Sequence, residues 1–320
     1  MYINSFEYLW QNMQTYVIFE IFIYFLSSLL FIHSIKKNFF LLWLYVLING
    51  ILNDHFFMLL SLSNNFWHSQ ALIMLTDRMP LYIVFIYHIL VYPGFILIQN
   101  SKLDIVSISI ISSFIGSFLY AFYDYIGVNF IWWTWHTTDL TIKYRWLGVP
   151  FSSTCWSIIH IFSFLTIYQT FYYRIFSTIF TIPVMMIIMS LFNLPTNGIS
   201  DENTLILIIL FFSLFLFKKH CYKIISKSIY LGLKKNVLIF IFITIYFIIL
   251  FNIYLFGNPR NHYSYGLHQQ YGPDNIISKD LFGYKRCTYF SKNHTNRLFV
   301  LPVEPEYYSD TYMINGKSFN

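Results

Sequence analysis

Charge is scarce in this sequence. Asp, Glu, Lys and Arg make up only 11% of its 320 residues, less than half the share of an ordinary soluble domain. Alanine is almost missing, with Ala71 and Ala121 the only two. The three cysteines, Cys155, Cys221 and Cys287, have neither metal-type spacing nor an obvious pairing. That argues against a disulfide framework and a zinc site. Cys221 sits in 218-KKHCYK-223 beside an apolar run, where either a palmitoylated or an unmodified thiol fits, the unmodified form being simpler. There is no GxSxG nucleophile elbow and no glycine-rich phosphate loop, which removes two common soluble chemistries. The N-terminal stretch MYINSFEYLWQNMQTY has no basic region and no small-residue cleavage site. The first apolar run is therefore expected to be a retained span and not a cleaved signal.

Apolar and aromatic residues are abundant, at 57% and 22%. The heavy use of Phe, Tyr, Ile, Asn and Lys reads as the bias of an AT-rich genome, so single Phe or Ile choices carry little information. Long apolar runs recur to about residue 256, as in a multi-pass membrane protein. Eight candidate helices follow: 14–34, 39–62, 80–99, 105–127, 151–171, 176–194, 204–217 and 236–256. The seventh is short. The fold class is thus all-α, a polytopic helix bundle over residues 1–256, followed by a polar tail over 257–320 rich in Tyr, Asn, Gly and Pro and expected to be mostly irregular. No internal repeat stands out.

Loop charge sets the orientation. With the N-terminus outside, the inside loops carry Lys36, Lys37, Lys102, Arg174, Lys218, Lys219, Lys223, Lys227, Lys234 and Lys235. The outside loops carry only Arg78, Lys143 and Arg145. The bias alternates through every loop and predicts an N-out, C-out bundle in an endomembrane or the plasma membrane. The net charge of +6 therefore reflects inside loops, and nucleic acid is not an expected partner. The triplet 293-NHT-295 in the tail agrees with an outside C-terminus as a glycosylation acceptor.

An ionisable residue inside a span is costly and is a functional hypothesis by default. Glu20, Asp54, His55 and Asp124 all fall in the outer third of their helices, with Tyr120 one turn below Asp124. The outer loops add 67-WHSQ-70 with His68, Asp77 and Arg78, and the stretch 130-FIWWTWHTTDL-140. The tail adds His262 and His268. These groups converge on one compartment. Each also has a plainer reading. Trp132, Trp133 and Trp135 can form an interfacial belt. His136 and Asp139, three apart, more readily pair with each other than share a metal. Asp124 can bond a hydroxyl, and Asp77 can pair with Arg78. His88 and His160 are expected to be buried, hydrogen-bonded residues. Glu20 is hardest to explain away, because a lone acid in a first helix needs a partner.

Two stretches together resemble a known family. The first is 78-RMPLYIVFIYHILVYPGF-95, and the second runs from Asp124 through the Trp-rich segment to 147-LGVPFSSTCW-156. Their order and spacing resemble the multi-pass carotenoid hydratases over about residues 75–165. The whole chain is similar to an uncharacterised family of eukaryotic multi-pass membrane proteins. That family shares the elements WHSQ, RxPLYI, WWTWHxTD and GVPxxS, and a tail like 262-HYSYGLHQ-269. The first resemblance implies alkene hydration; the second implies a fold but no activity. Ser152 and Ser153 replace the hydratases' Asn-Phe after the Gly-Val-Pro turn, and neither His136 nor the tail has a hydratase counterpart.

Two functions follow. One is an enzyme or binder for a lipid-soluble, polyprenoid-like substrate, a hydratase-like lyase if catalytic. Glu20, Asp54, Asp124, His136 and Asp139 are then the catalytic candidates. Trp132, Trp133, Trp135, Tyr120, His68 and Arg78 are the substrate-binding candidates. The other is a non-catalytic membrane protein, such as a lipid binder, assembly factor or carrier, whose polar residues bond helices together. A metal enzyme using His68, His136, His262 and His268 ranks below both. No resident cofactor or metal ion is expected.

Overall fold

The structure is a computed structural model of the full chain. It describes residues 1–59, 66–76, 79–130, 132–135 and 144–257, together with 275–279, 285–289, 312–314 and 317–319. The described helices are α1 (Phe6–Lys36), α2 (Phe40–Leu59), α3 (Leu81–Ile98), α4 (Ile105–Asn129), α5 (Phe151–Thr170), α6 (Phe176–Asn193), α7 (Glu202–Lys218), α8 (Tyr222–Lys235) and α9 (Val237–Phe256). The short strands of the bundle are β1 (Tyr2–Ile3), β2 (Phe66–His68), β3 (Ile73–Met74), β4 (Trp133–Trp135), β5 (Arg145–Trp146) and β6 (Val149–Pro150). The tail adds β7 (Asn275–Lys279) paired with β8 (Lys285–Tyr289), and β9 (Tyr312–Ile314) paired with β10 (Lys317–Phe319). His262, His268 and the 293–295 triplet lie outside the described residues.

Apolar runs become helices because lipid offers the backbone no other partner for its N–H and C=O groups. Their starts are set by local chemistry. Pro80 and Pro150 occupy the N-cap positions of α3 and α5. Asp104 caps α4 by accepting from the Ser107 N–H at 3.1 Å, and Asp201 caps α7 by accepting from the Thr204 N–H at 3.0 Å. The turn after α1 needs a left-handed residue, and Asn38 supplies it at φ 61°.

Helix α3 is the centre. Every residue in it except Leu81 and Phe85 is buried, and it contacts α1, α2, α4 and α8. Its close approach to α4 depends on small residues. A Cβ on Gly94 would lie 2.7 Å from the Ser112 carbonyl oxygen, and one on Gly116 would overlap the Leu90 carbonyl. The buried face of α4 also carries five serines, Ser107, Ser109, Ser112, Ser113 and Ser117, among its aliphatic residues.

Seven helices are long and apolar enough to cross a membrane: α1 to α6 and α9. Helix α7 has 17 residues, about 26 Å at 1.5 Å per residue. It nevertheless runs the height of the bundle. It starts beside Ser200, which lines the same cavity as Asp54, and it ends three residues before Cys221, whose Sγ meets the Ser107 Oγ at 3.4 Å at the opposite end. The bundle therefore has eight passes, the seventh short, and the ends alternate as the loop charges predict. One end is Trp-rich and gathers the N-terminus, residues 66–76, 79–80, 132–135 and 144–150, and Gly257. The other is Lys-rich. Helix α8 corrects the sequence reading: residues 222–235, expected as part of an inside loop, form an additional helix among the described residues that is not a pass. Cys221 is buried, which removes the palmitoylation reading.

Candidate functional site

At the Trp-rich end the loops fold back onto the helices. β1 pairs with β3, setting Tyr2 opposite Met74 and Ile3 opposite Ile73. β2 pairs antiparallel with β4, setting Phe66 opposite Trp135, Trp67 opposite Thr134 and His68 opposite Trp133. Side chains alternate along a strand, so Phe66, His68, Trp133 and Trp135 share one face. Those four residues roof a cavity of about 470 Å³.

Two hydrogen-bonded groups reach this cavity from different helix pairs. On α2 and α3, the Tyr87 hydroxyl donates to Asp54 Oδ1 at 2.6 Å and accepts from Asn53 Nδ2 at 2.8 Å. Asp54 is 7% exposed, and its Oδ2 is buried with no hydrogen-bond partner among the described residues. On α4 and α5, the Ser153 hydroxyl donates to Asp124 Oδ2 at 2.7 Å. That leaves the Tyr120 hydroxyl, 3.1 Å from Ser153 Oγ, to donate to it. Asp54, Tyr87, Tyr120 and Ser153 line the cavity directly, and Asp124 stands behind Ser153. Most of the remaining wall is apolar, with Ile83, Ile86 and Leu90 from α3, Trp156 from α5, and Met185, Met186 and Met189 from α6, while Ser152, Ser190, Asn193 and Ser200 add polar groups. Met186 lies about halfway along α6 and is exposed, so the cavity meets the outer face of the bundle at α6.

The other expected residues are placed as follows. Trp132 is fully buried beneath the roof, 4.6 Å from the Phe19 ring, and does not line the cavity. All three indoles are buried, so none is an interfacial belt residue. Trp133 fits because position 127 has no side chain; a Cβ on Gly127 would fall inside its ring. Glu20 stands apart. It accepts from the Leu72 N–H at 2.6 Å, the Ile73 N–H at 2.9 Å and the Tyr24 hydroxyl at 2.9 Å. His88 meets Ser27 Oγ and the Trp43 carbonyl, each at 3.0 Å, and His160 meets Asn49 Oδ1 at 2.7 Å. Both are buried and hydrogen-bonded, as the sequence reading expects. Arg78, His136 and Asp139 lie outside the described residues. Among the described residues, no group of three or more His, Cys, Asp or Glu could hold a metal ion.

Sequence reasoning placed Asn53 beside Asp54 in the outer part of α2, passed over Tyr87 and the α6 methionines, and noted Ser153 only as a departure from a resembling family. A tyrosine inside a span and a serine three residues past a Gly-Val-Pro turn were the available signals.

The chain matches a domain of unknown function, DUF7802, over residues 2–182. It belongs to that family. The DUF7802 match takes in α1 to α5, the β2–β4 ladder, Asp54 in the cavity wall and Asp124 behind it, and it ends within α6. The methionines of the α6 wall, the short seventh pass, α8 and α9 follow the matched DUF7802 region. No curated protein and no solved structure matches the chain.

Proposed function

We propose that this multi-pass membrane protein holds a lipid-soluble, polyprenoid-like molecule in the cavity at its Trp-rich end and performs acid–base chemistry on it. One observation carries the reading. Asp54, which carries a buried oxygen with no hydrogen-bond partner among the described residues, lines a cavity whose other walls are mainly aromatic, aliphatic and thioether groups. A buried carboxyl oxygen without a partner costs free energy that a ligand hydroxyl or a bound water would recover. The exposed Met186 at the α6 wall suits an apolar ligand that enters from the bilayer and not from water.

The chemistry this set suits is hydration of an alkene. Asp54, as a carboxylic acid, gives its proton to one alkene carbon. The faces of Trp133, Trp135 and Tyr123 stabilise the positive charge on the other carbon. A water oriented by Ser153 and Asp124 adds its oxygen to that carbon, and the proton it loses returns to a carboxylate. His68 and Tyr120 position the substrate. Arg78, His136 and Asp139 remain substrate-binding and water-orienting candidates at the same end by their place in the sequence. Glu20 has three hydrogen-bond donors of its own and fits the helix-bonding reading instead, as does His88.

The test is lipid extraction from the purified protein followed by mass spectrometry. The wild type is expected to carry an unsaturated isoprenoid-type lipid, which Asp54→Asn and Ser153→Ala lose while their unfolding temperatures stay near that of the wild type. Recovery of bulk bilayer lipids alone, identical in wild type and variants, would falsify the proposal.

A further inference from the structure

Helix α8 is tied at both ends to the Lys-rich end of the bundle. Before its first turn, the Cys221 Sγ meets Ser107 Oγ at 3.4 Å at the start of α4. After its last turn, Asn236 Oδ1 lies 3.3 Å from His33 Nε2 at the end of α1. Its 14 residues cover about 21 Å, so it lies along the rim and not through the bundle. One face is packed. Gly232 is buried, and a Cβ there would overlap the Leu97 carbonyl of α3; Ile225, Ile229 and Leu233 pack against the core.

The other face is open and of one sign. Lys227, Tyr230, Leu231, Lys234 and Lys235 are exposed at helical spacing. Residues 203–256 contain no Asp or Glu, and Lys218, Lys219 and Lys223 extend the same positive segment. Of the acids, Asp104 faces Lys219 from the α4 cap and offsets part of its charge. A basic amphipathic helix in the plane of a membrane rim, with tyrosines at headgroup level, complements one kind of surface.

We infer that α8 and its flanking lysines form a binding surface for anionic phospholipid headgroups in the leaflet at the Lys-rich end. The lysine stems lie along the interface and their ammonium groups reach the lipid phosphates. The apolar face, already packed on α3, holds the helix at that depth. This surface is separate from the cavity at the other end and does not depend on it.

The experiment titrates the purified, delipidated full chain with phosphatidylserine or phosphatidylcholine and counts bound lipid by native mass spectrometry. The wild type is expected to bind phosphatidylserine more tightly. The combined variant Lys227→Gln, Lys234→Gln, Lys235→Gln is expected to lose roughly tenfold or more of that preference. In the wild type alone, rising salt is expected to erase the preference, a readout independent of whether the variant folds. Equal binding of the two lipids by the wild type overturns the inference. So does a preference untouched by salt, full competition by inorganic phosphate, or capture of an acidic peptide in place of the lipid.

Discussion

Glu20 and Asp54 are both buried acids in the outer third of a span, and their neighbours give them opposite roles. Glu20 is saturated, because two backbone N–H groups and a tyrosine hydroxyl point at it. Glu20→Gln is expected to cost about 1–3 kcal/mol, since the Leu72 and Ile73 amides lose a charged acceptor. Thermal unfolding reads that loss, while ligand bound per folded molecule stays constant. Asp54→Asn is expected to do the reverse, sparing stability and emptying the cavity. Equal stability losses in the two variants would sink the distinction. The sequence shows both acids at the correct depth but cannot tell them apart. Glu20's partners lie 52 and 53 positions away, and backbone amides leave no signature in residue type.

At the scale of elements, the Trp-rich stretch is shaped by a missing side chain. Gly127→Ala would place a methyl group inside the Trp133 ring, so the ring must swing away. The expected outcome is a changed roof: ligand binding falls in a lipid-extraction assay while α4, helical at position 127, stays helical by circular dichroism. Caps offer a second prediction. Slight burial nudges the Asp201 carboxyl upward, but hydrogen bonds from the Thr204 backbone and from Asn203 outweigh it and hold the group below its ordinary 3.8. A carboxyl depressed by folding stabilises above its unfolded value and stops doing so as pH falls. Asp201→Ala is expected to cost about 1 kcal/mol near neutral pH. That cost should shrink as pH drops below 3.8 in melts of wild type and variant. Helix α8 was hidden for a different reason. Its lysines match an inside loop, and its Ile225, Ile229 and Leu233 periodicity is too brief to suggest a span, although that spacing is the trace of its packed face.

For the whole molecule, the hydropathy pattern and the loop charges were enough to read the passes and their alternation, because lipid leaves helices as nearly the sole option. The cavity was legible only as a compartment. Its walls come from helices far apart in sequence, and no local rule says which faces turn inward. If the Lys-rich end is cytoplasmic, a cysteine replacing exposed Tyr144 should react with an impermeant maleimide on sealed vesicles of outside-out orientation. One replacing Lys227 should react only after permeabilisation, and the reverse pattern would invert the orientation. The β2–β4 ladder bears on this scale too. It joins the α2–α3 connection to the α4–α5 connection by main-chain pairing, with the His68 and Trp133 rings also in contact across it, while every second side chain faces the cavity. Closing the roof is thus mainly the work of main-chain atoms, and shaping the cavity mainly that of side chains. Substitutions at Phe66, His68, Trp133 or Trp135 can shift what the cavity accepts and leave the strap intact, so divergence in ligand preference needs no change of architecture.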